Sequence, residues 1–171
     1  LDIVDEEGST PVMLAILNGH YEVAAVLIEA GADVNVQDKI GRTVLFIATD
    51  MHTLDASPRP GPKPYGELDS VDIIRLALEN GADPDLALKT TLPQPTALDS
   101  HNPMLTEGAT PLFRAAMSGD LEIINLLLQA GADPYLQTAE NAEGMFGVVS
   151  TTNLSNVVMA AAGLSWRSSI S

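Results

Sequence analysis

GATPLFRAAMSGDLEIINLLLQAGADPYLQ, residues 108–137, decides the fold. Thr110 is placed to cap a helix with its hydroxyl. Pro111 then falls at the first helical position, where a missing N–H costs nothing. Leu112, Ala115 and Ala116 recur at helical spacing and give one apolar face, and the two alanines let a second helix approach closely. Gly119 suits a left-handed helix end, a conformation that other residues resist. Leu121, Ile124, Leu127 and Leu128 form a second apolar stripe with a period near 3.6. Gly131 closes that helix, and Ala132-Asp133-Pro134 turns the chain outward. A unit of two such short helices cannot bury both faces alone, so it requires copies of itself.

Residues 8–37, GSTPVMLAILNGHYEVAAVLIEAGADVNVQ, supply one without a gap. Thr10-Pro11 answers Thr110-Pro111, Gly19 answers Gly119, and Gly31-Ala32-Asp33 answers Gly131-Ala132-Asp133. The next copy opens at Gly41, a period of 41 − 8 = 33 residues. That period, with the T-P-x-x-x-A and G-A-D signatures, resembles the ankyrin-repeat family. The resemblance implies an all-α solenoid of stacked helix pairs with short β-hairpin-like loops and no core sheet. It leaves the function open, because one such fold hosts many jobs.

The 171 residues suit a single array. They are 46% hydrophobic but only 4% aromatic, so small and aliphatic side chains must fill the core. No apolar run approaches the roughly 20 residues of a membrane span, which argues against membrane insertion. The absence of cysteine excludes disulfides and thiolate metal sites. A net charge of −15 repels nucleic acid and suits a protein partner with a basic surface, or else serves solubility or a saline habitat.

The whole chain, 1–171, reads as one array. Leu1–Asp5 aligns with Val34–Asp38 and is the tail of a repeat whose helices would lie upstream. Repeat one covers 5–37, with helices near Thr10–Leu17 and Tyr21–Ala30, and with His20 at the helix junction in a structural role. Repeat two covers 38–88, with helices near Val44–Thr49 and Val71–Glu79 and an insert, 50–70, between them. The four prolines in Ser57–Pro64 favour extended polyproline II, as a docking strip or as a stiff, self-packed excursion. A hairpin insert, 89–104, follows. Repeat three is the opening stretch, 105–138. A second hairpin insert covers 140–152, and 153–171 reads as a partial fourth repeat, in which Val158–Ala162 matches Leu112–Ala116. Both ends are thus expected to lie within repeats of a longer protein.

A narrower resemblance rests on GRTVLFIATDMHTLDASPRPGPKPYGELDSVDII, HNPMLTEGATPLFRAA and VVMAAAGLSW. These stretches look like those of bacterial ankyrin proteins with long inserts, many of them exported. The resemblance implies a bacterial origin and a periplasmic or extracellular location.

No phosphate loop, H-E-x-x-H or G-x-S-x-G is present. His52 and His101 lie near Asp50, Asp55 and Asp99. A shared metal site is disfavoured, because the two inserts leave from opposite ends of the helices, roughly 12 Å apart at 1.5 Å per residue. Acid–base work by Asp50 with His52 is the weaker alternative to solvated loop residues or turn caps. The formal glycosylation sequon at Asn153-Leu154-Ser155 carries nothing in a bacterial protein. No catalytic residue, cofactor or metal is therefore expected. The leading reading is a non-catalytic interaction scaffold. Its two hairpin inserts fall in successive loops and bring together Asp99, His101, Met104, Glu107, Glu140, Glu143, Met145 and Phe146: adaptable apolar side chains rimmed by acids. The alternatives are an enzyme or ligand site beneath the inserts, and inserts that cover one another or drive self-association.

Overall fold

The computed structural model describes residues 1–53, 66–90, 105 and 107–138. Among them are six helices in three pairs: α1 Pro11–Leu17 with α2 Tyr21–Glu29, α3 Val44–Thr53 with α4 Ser70–Glu79, and α5 Pro111–Ser118 with α6 Leu121–Gln129. No strand occurs among the described residues. The first helices form one layer, α1 against α3 against α5, and α2 packs against α4 in the second. The expected all-helical repeat solenoid is what the chain builds.

Local chemistry repeats with the fold. Thr10, Thr43 and Thr110 each accept the N–H of the residue three positions on, at 3.2–3.3 Å. This fastens the first turn of α1, α3 and α5. Asp69 and Asp120 cap α4 and α6 in the same way. His20, which stands at the same junction in repeat one, makes no side-chain cap. Gly119 is left-handed at φ 72°, as required to end α5.

The core is continuous through the three units, and α3 lies at its centre. Val44, Leu45, Phe46, Ile47, Ala48 and Met51 are all buried. Two sequence expectations need correction. Helix α3 runs four residues past Thr49, so Asp50–Thr53 are helical and do not belong to the insert. Asp50 and His52 have partners on repeat three, described below. In α6 the buried stripe is Ile123 and Leu127, while Leu121 is 72% and Leu128 42% exposed. The corresponding residues of α2, Tyr21 and Ile28, are buried, and α2 packs on a following second helix. Among the described residues no following second helix packs on α6 as α4 packs on α2.

Candidate partner-binding edge

The hairpin loops stack on one another through a repeating set of hydrogen bonds. Asp5 N–H donates to Ser9 O and Gly8 N–H to Asp5 O; Asp38 N–H donates to Arg42 O and Gly41 N–H to Asp38 O. Adjacent loops are joined by Lys39 N–H to Glu7 O and Lys89 N–H to Ile40 O. In the short loops an aspartate side chain closes the turn. Asp5 Oδ1 accepts from Glu7 and Ser9, and Asp38 Oδ1 from Ile40 and Arg42. The Arg42 guanidinium also donates to Asp38 Oδ2 at 2.7 Å. Asp5 thus closes its turn as Asp38 does.

The long loop keeps the backbone closure and changes the side chain. Leu88 N–H donates to Ala109 O at 2.9 Å, and Gly108 N–H to Leu88 O at 2.8 Å. Leu88 to Ala109 is 109 − 88 = 21 positions and Asp38 to Arg42 is 42 − 38 = 4. The difference, 17, is the length of the insertion. The turn-closing aspartate of the short loops is absent here. A leucine stands in its place and is buried, 2% exposed. Leu105, on the returning limb, is buried as well and joins the core. The sequence reading missed Leu105. Its only signal is an isolated apolar residue just before the loop closes.

A second ladder runs beside the first. Asp2 Oδ1 accepts from Asp33 N–H, Asn35 Oδ1 from Asp83 N–H, and Asp85 Oδ1 from Asp133 N–H, at 2.8–3.0 Å. Each acceptor belongs to one repeat and each donor to the next. The residue in the corresponding place on repeat three is Tyr135, 76% exposed.

Of the expected binding residues, Glu107 is described. It is exposed at the base of the long loop, next to Gly108. Asp99, His101, Met104, Glu140, Glu143, Met145 and Phe146 lie outside the described residues, as do Asp55 and Ser57–Pro64.

The opposite, inter-helix edge corrects the expectation for Asp50 and His52. They are neither solvated loop residues nor turn caps. Arg114 Nε, on a nearly buried side chain, donates to Asp50 Oδ1 at 2.6 Å. His52 Nε2 lies 2.9 Å from Asp120 Oδ2, and its Nδ1 lies 3.0 Å from Ser70 Oγ. A serine, a histidine and an aspartate in line suggest nucleophilic catalysis, but the surroundings oppose it. Ser70 is buried, and the Val71 and Asp72 amides beside it are committed to Asp69, so they are not free to hold an oxyanion. The line ties α3, α4 and α6 together. On repeat one, the Glu22 carboxylate accepts from Leu68 N–H at 3.0 Å and Glu67 N–H at 2.6 Å. The Leu68 N–H foremost, with the Glu22 N–H and the Glu67 N–H, holds the Glu22 carboxyl below its ordinary value, against a smaller opposing push from burial. Among the described residues no group of three or more His, Asp or Glu is arranged to hold a metal ion.

The family model for ankyrin repeats in three copies matches residues 1–57, and the single ankyrin-repeat model matches residues 107–139, together more than half of the chain. The chain belongs to the ankyrin-repeat family. It is similar to ankyrin repeat and SAM domain-containing protein 6 of Danio rerio, at 31% identity over 74% of this chain and 17% of that protein. It is similar also to the nuclear factor NF-kappa-B p105 subunit of Gallus gallus, at 30% over 86% of this chain and 12% of that protein. A shorter match, 50% identical over 28% of this chain and 14% of the relative, is to the fibronectin type 3 and ankyrin repeat domains 1 protein of Mus musculus. The chain thus spans less than a fifth of each of these three relatives. All three are animal proteins, so they lend nothing to the expected bacterial origin. Ankyrin-repeat proteins are in general protein–protein interaction modules without catalytic chemistry. Among the described residues no helix is long and apolar enough to cross a membrane.

Proposed function

We propose that this protein is a non-catalytic scaffold that binds a protein partner through its elongated hairpin loops. Residues 92–104 and 140–152 carry the contact, with Asp99, His101, Met104, Glu140, Glu143, Met145 and Phe146 within them and Glu107 at the base of the first as the binding residues. The observation that carries this reading is the closure at Leu88 and Ala109. The loop leaves and rejoins the array through the hydrogen bonds of a short hairpin, so 17 residues are added without being needed to close the stack. Connections of that kind are where binding residues concentrate on a rigid scaffold. The partner has a basic surface, which the chain's net charge of −15 favours. The protein acts in the periplasm or outside the cell, a reading supported by the resemblance of its insert-bearing stretches to exported bacterial ankyrin proteins.

The test uses the full chain as bait for proteins of the cells that produce it, followed by titration of the purified partner. Shortening both hairpin loops to the length of residues 38–42 is expected to abolish binding and preserve the helical signal. Parental affinity in the shortened protein, with loss of binding on deleting 57–64, would move the contact to the inter-helix edge.

A further inference from the structure

Asparagine is followed by glycine at two places in the chain, Asn18-Gly19 and Asn80-Gly81. Both pairs end a helix: Asn18 caps α1 and Asn80 caps α4. Such a pair is chemically labile. Glycine has no side chain to shield its main-chain nitrogen and its backbone turns freely, so the nitrogen can reach the asparagine side-chain carbon. In the closed helix ends both sites are held back. Asn18 Nδ2 donates to Leu14 O at 2.7 Å, and Asn80 Nδ2 to Leu76 O at 2.8 Å. The attacking nitrogens are engaged too: Gly19 N–H donates to Ile16 O at 2.9 Å and Gly81 N–H to Leu78 O at 3.1 Å. Reaction therefore requires the helix end to open, and the two ends differ in what opening disturbs.

Asn18 sits between large buried side chains. Ile16 is 0% and Tyr21 4% exposed, Gly19 is itself buried, and α2 begins at Tyr21. Opening the end of α1 uncovers one of them. Around Asn80 the chain is open. Glu79, Asn80 and Gly81 are exposed, and a Cβ added to Gly81 would meet nothing. The buried residues nearest to it are two alanines, Ala77 and Ala82. From repeat one, Asn35 Nδ2 donates to Gly81 O at 2.9 Å. An exposed last turn of this kind is among the first parts of a fold to open.

We propose that Asn80-Gly81 is a site of spontaneous deamidation in the folded protein, and that Asn18-Gly19 is spared. The Gly81 nitrogen forms a bond to Asn80 Cγ. The Cγ–Nδ2 bond breaks, and ammonia leaves with the proton of the Gly81 N–H. Water then opens the cyclic imide at either carbonyl, giving aspartate or isoaspartate. Either product places a carboxylate at the C-terminal end of α4, where the helix dipole is negative. Isoaspartate also adds a methylene to the main chain, which displaces Gly81 O from the Asn35 amide. Repeats one and three carry Ala30 and Ala130 at this position. Among the three described repeats, the second alone has this lability.

Ageing the full chain in mildly alkaline buffer, with peptide mapping by mass spectrometry to read both products at each site, tests this. Asn80 is expected to convert about tenfold faster than Asn18 or more, because uncovering one large buried side chain lowers the open population by that factor. In urea the two sites are expected to convert at similar rates. Asn80→Ala, which copies repeats one and three, is expected to fold and to lose the main product. The Asp83 N–H, held by Asn35 Oδ1 at 2.8 Å, is expected to exchange faster in the aged parent and not in aged Asn80→Ala. Equal conversion of the two sites in the folded chain would overturn the proposal. So would a rate ratio in urea as large as in the folded chain, or an Asn80 that stays intact while the urea-unfolded chain reacts.

Discussion

Leu88 and Ala109 form one backbone hydrogen bond, 2.9 Å long, that closes a 17-residue excursion in the way Asp38 and Arg42 close a tight turn. Deleting Thr90–Thr106 leaves Leu88-Lys89-Glu107-Gly108-Ala109, a loop of the length of Asp38–Arg42. Two effects oppose each other. The shorter loop regains about 1.5 kcal/mol of closure entropy. Loss of the buried Leu105 costs about 1.5–3 kcal/mol. The deletion variant is expected to fold with unchanged helical content and to be about 0–1.5 kcal/mol less stable, as read from chemical denaturation.

Gly41 and Gly131 both hold a φ of 95°, but their surroundings differ. A Cβ on Gly131 meets nothing, so Gly131→Ala costs only the left-handed backbone, about 1–2 kcal/mol. A Cβ on Gly41 meets the backbone of the next loop, with Leu88 Cα at 2.9 Å and the Lys89 nitrogen closer still. Gly41→Ala adds the cost of separating two hairpins, about 1–3 kcal/mol more. Thermal melts of the two variants in parallel should rank them in that order.

Arg114 occupies the position that Leu14 holds in repeat one, and it is tied to the partly buried Asp50. Arg114→Leu alone is expected to cost about 2–3 kcal/mol, because it takes the guanidinium away from a half-buried carboxylate. The double change Arg114→Leu with Asp50→Ala should recover most of that loss. A double-mutant cycle in urea measures both.

The Glu22 carboxyl is held below its ordinary value of 4.5 by the Leu68 N–H first of all. The unfolded chain therefore binds this proton more readily than the folded one. The contribution is present in full above the unfolded value and is lost as pH falls through the depressed folded value. Melts between pH 3 and pH 6 should show stability falling towards acid. In Glu22→Gln that fall should be shallower.

The repeat itself was legible, because its signals are local. Thr110-Pro111 starts a helix and Gly119 ends one within ten positions, and the same marks recur at fixed spacing. What the sequence concealed depends on partners far along the chain. Asp50 and His52 looked like loop residues beside a proline-rich stretch, but Arg114 is 64 positions from Asp50 and Asp120 lies beyond it. Both contacts are made from the last turn of α3, which runs to Thr53. Glu22 looked like an ordinary first-turn acid, and its donors are 45 and 46 positions away. The burial of Ile123 in place of Leu121 turns on which side of α6 faces a neighbour, and period 3.6 alone does not fix that. At the hairpin edge the insertion length was countable from the glycines. The anchoring of Leu105 was not, since nothing near it in sequence repeats.

The rungs from Asp2 to Asp33, Asn35 to Asp83 and Asp85 to Asp133 are interchangeable parts. Each presents a side-chain oxygen forward and receives on a main-chain N–H, so any unit carrying both can be spliced between any two others. Duplication or loss of a repeat upstream of Gly131 requires no new chemistry along this ladder. Tyr135 ends that freedom. Its phenol sits where a carboxylate or amide would stand, 76% exposed, and a unit joined after it has to bring a fastening of its own.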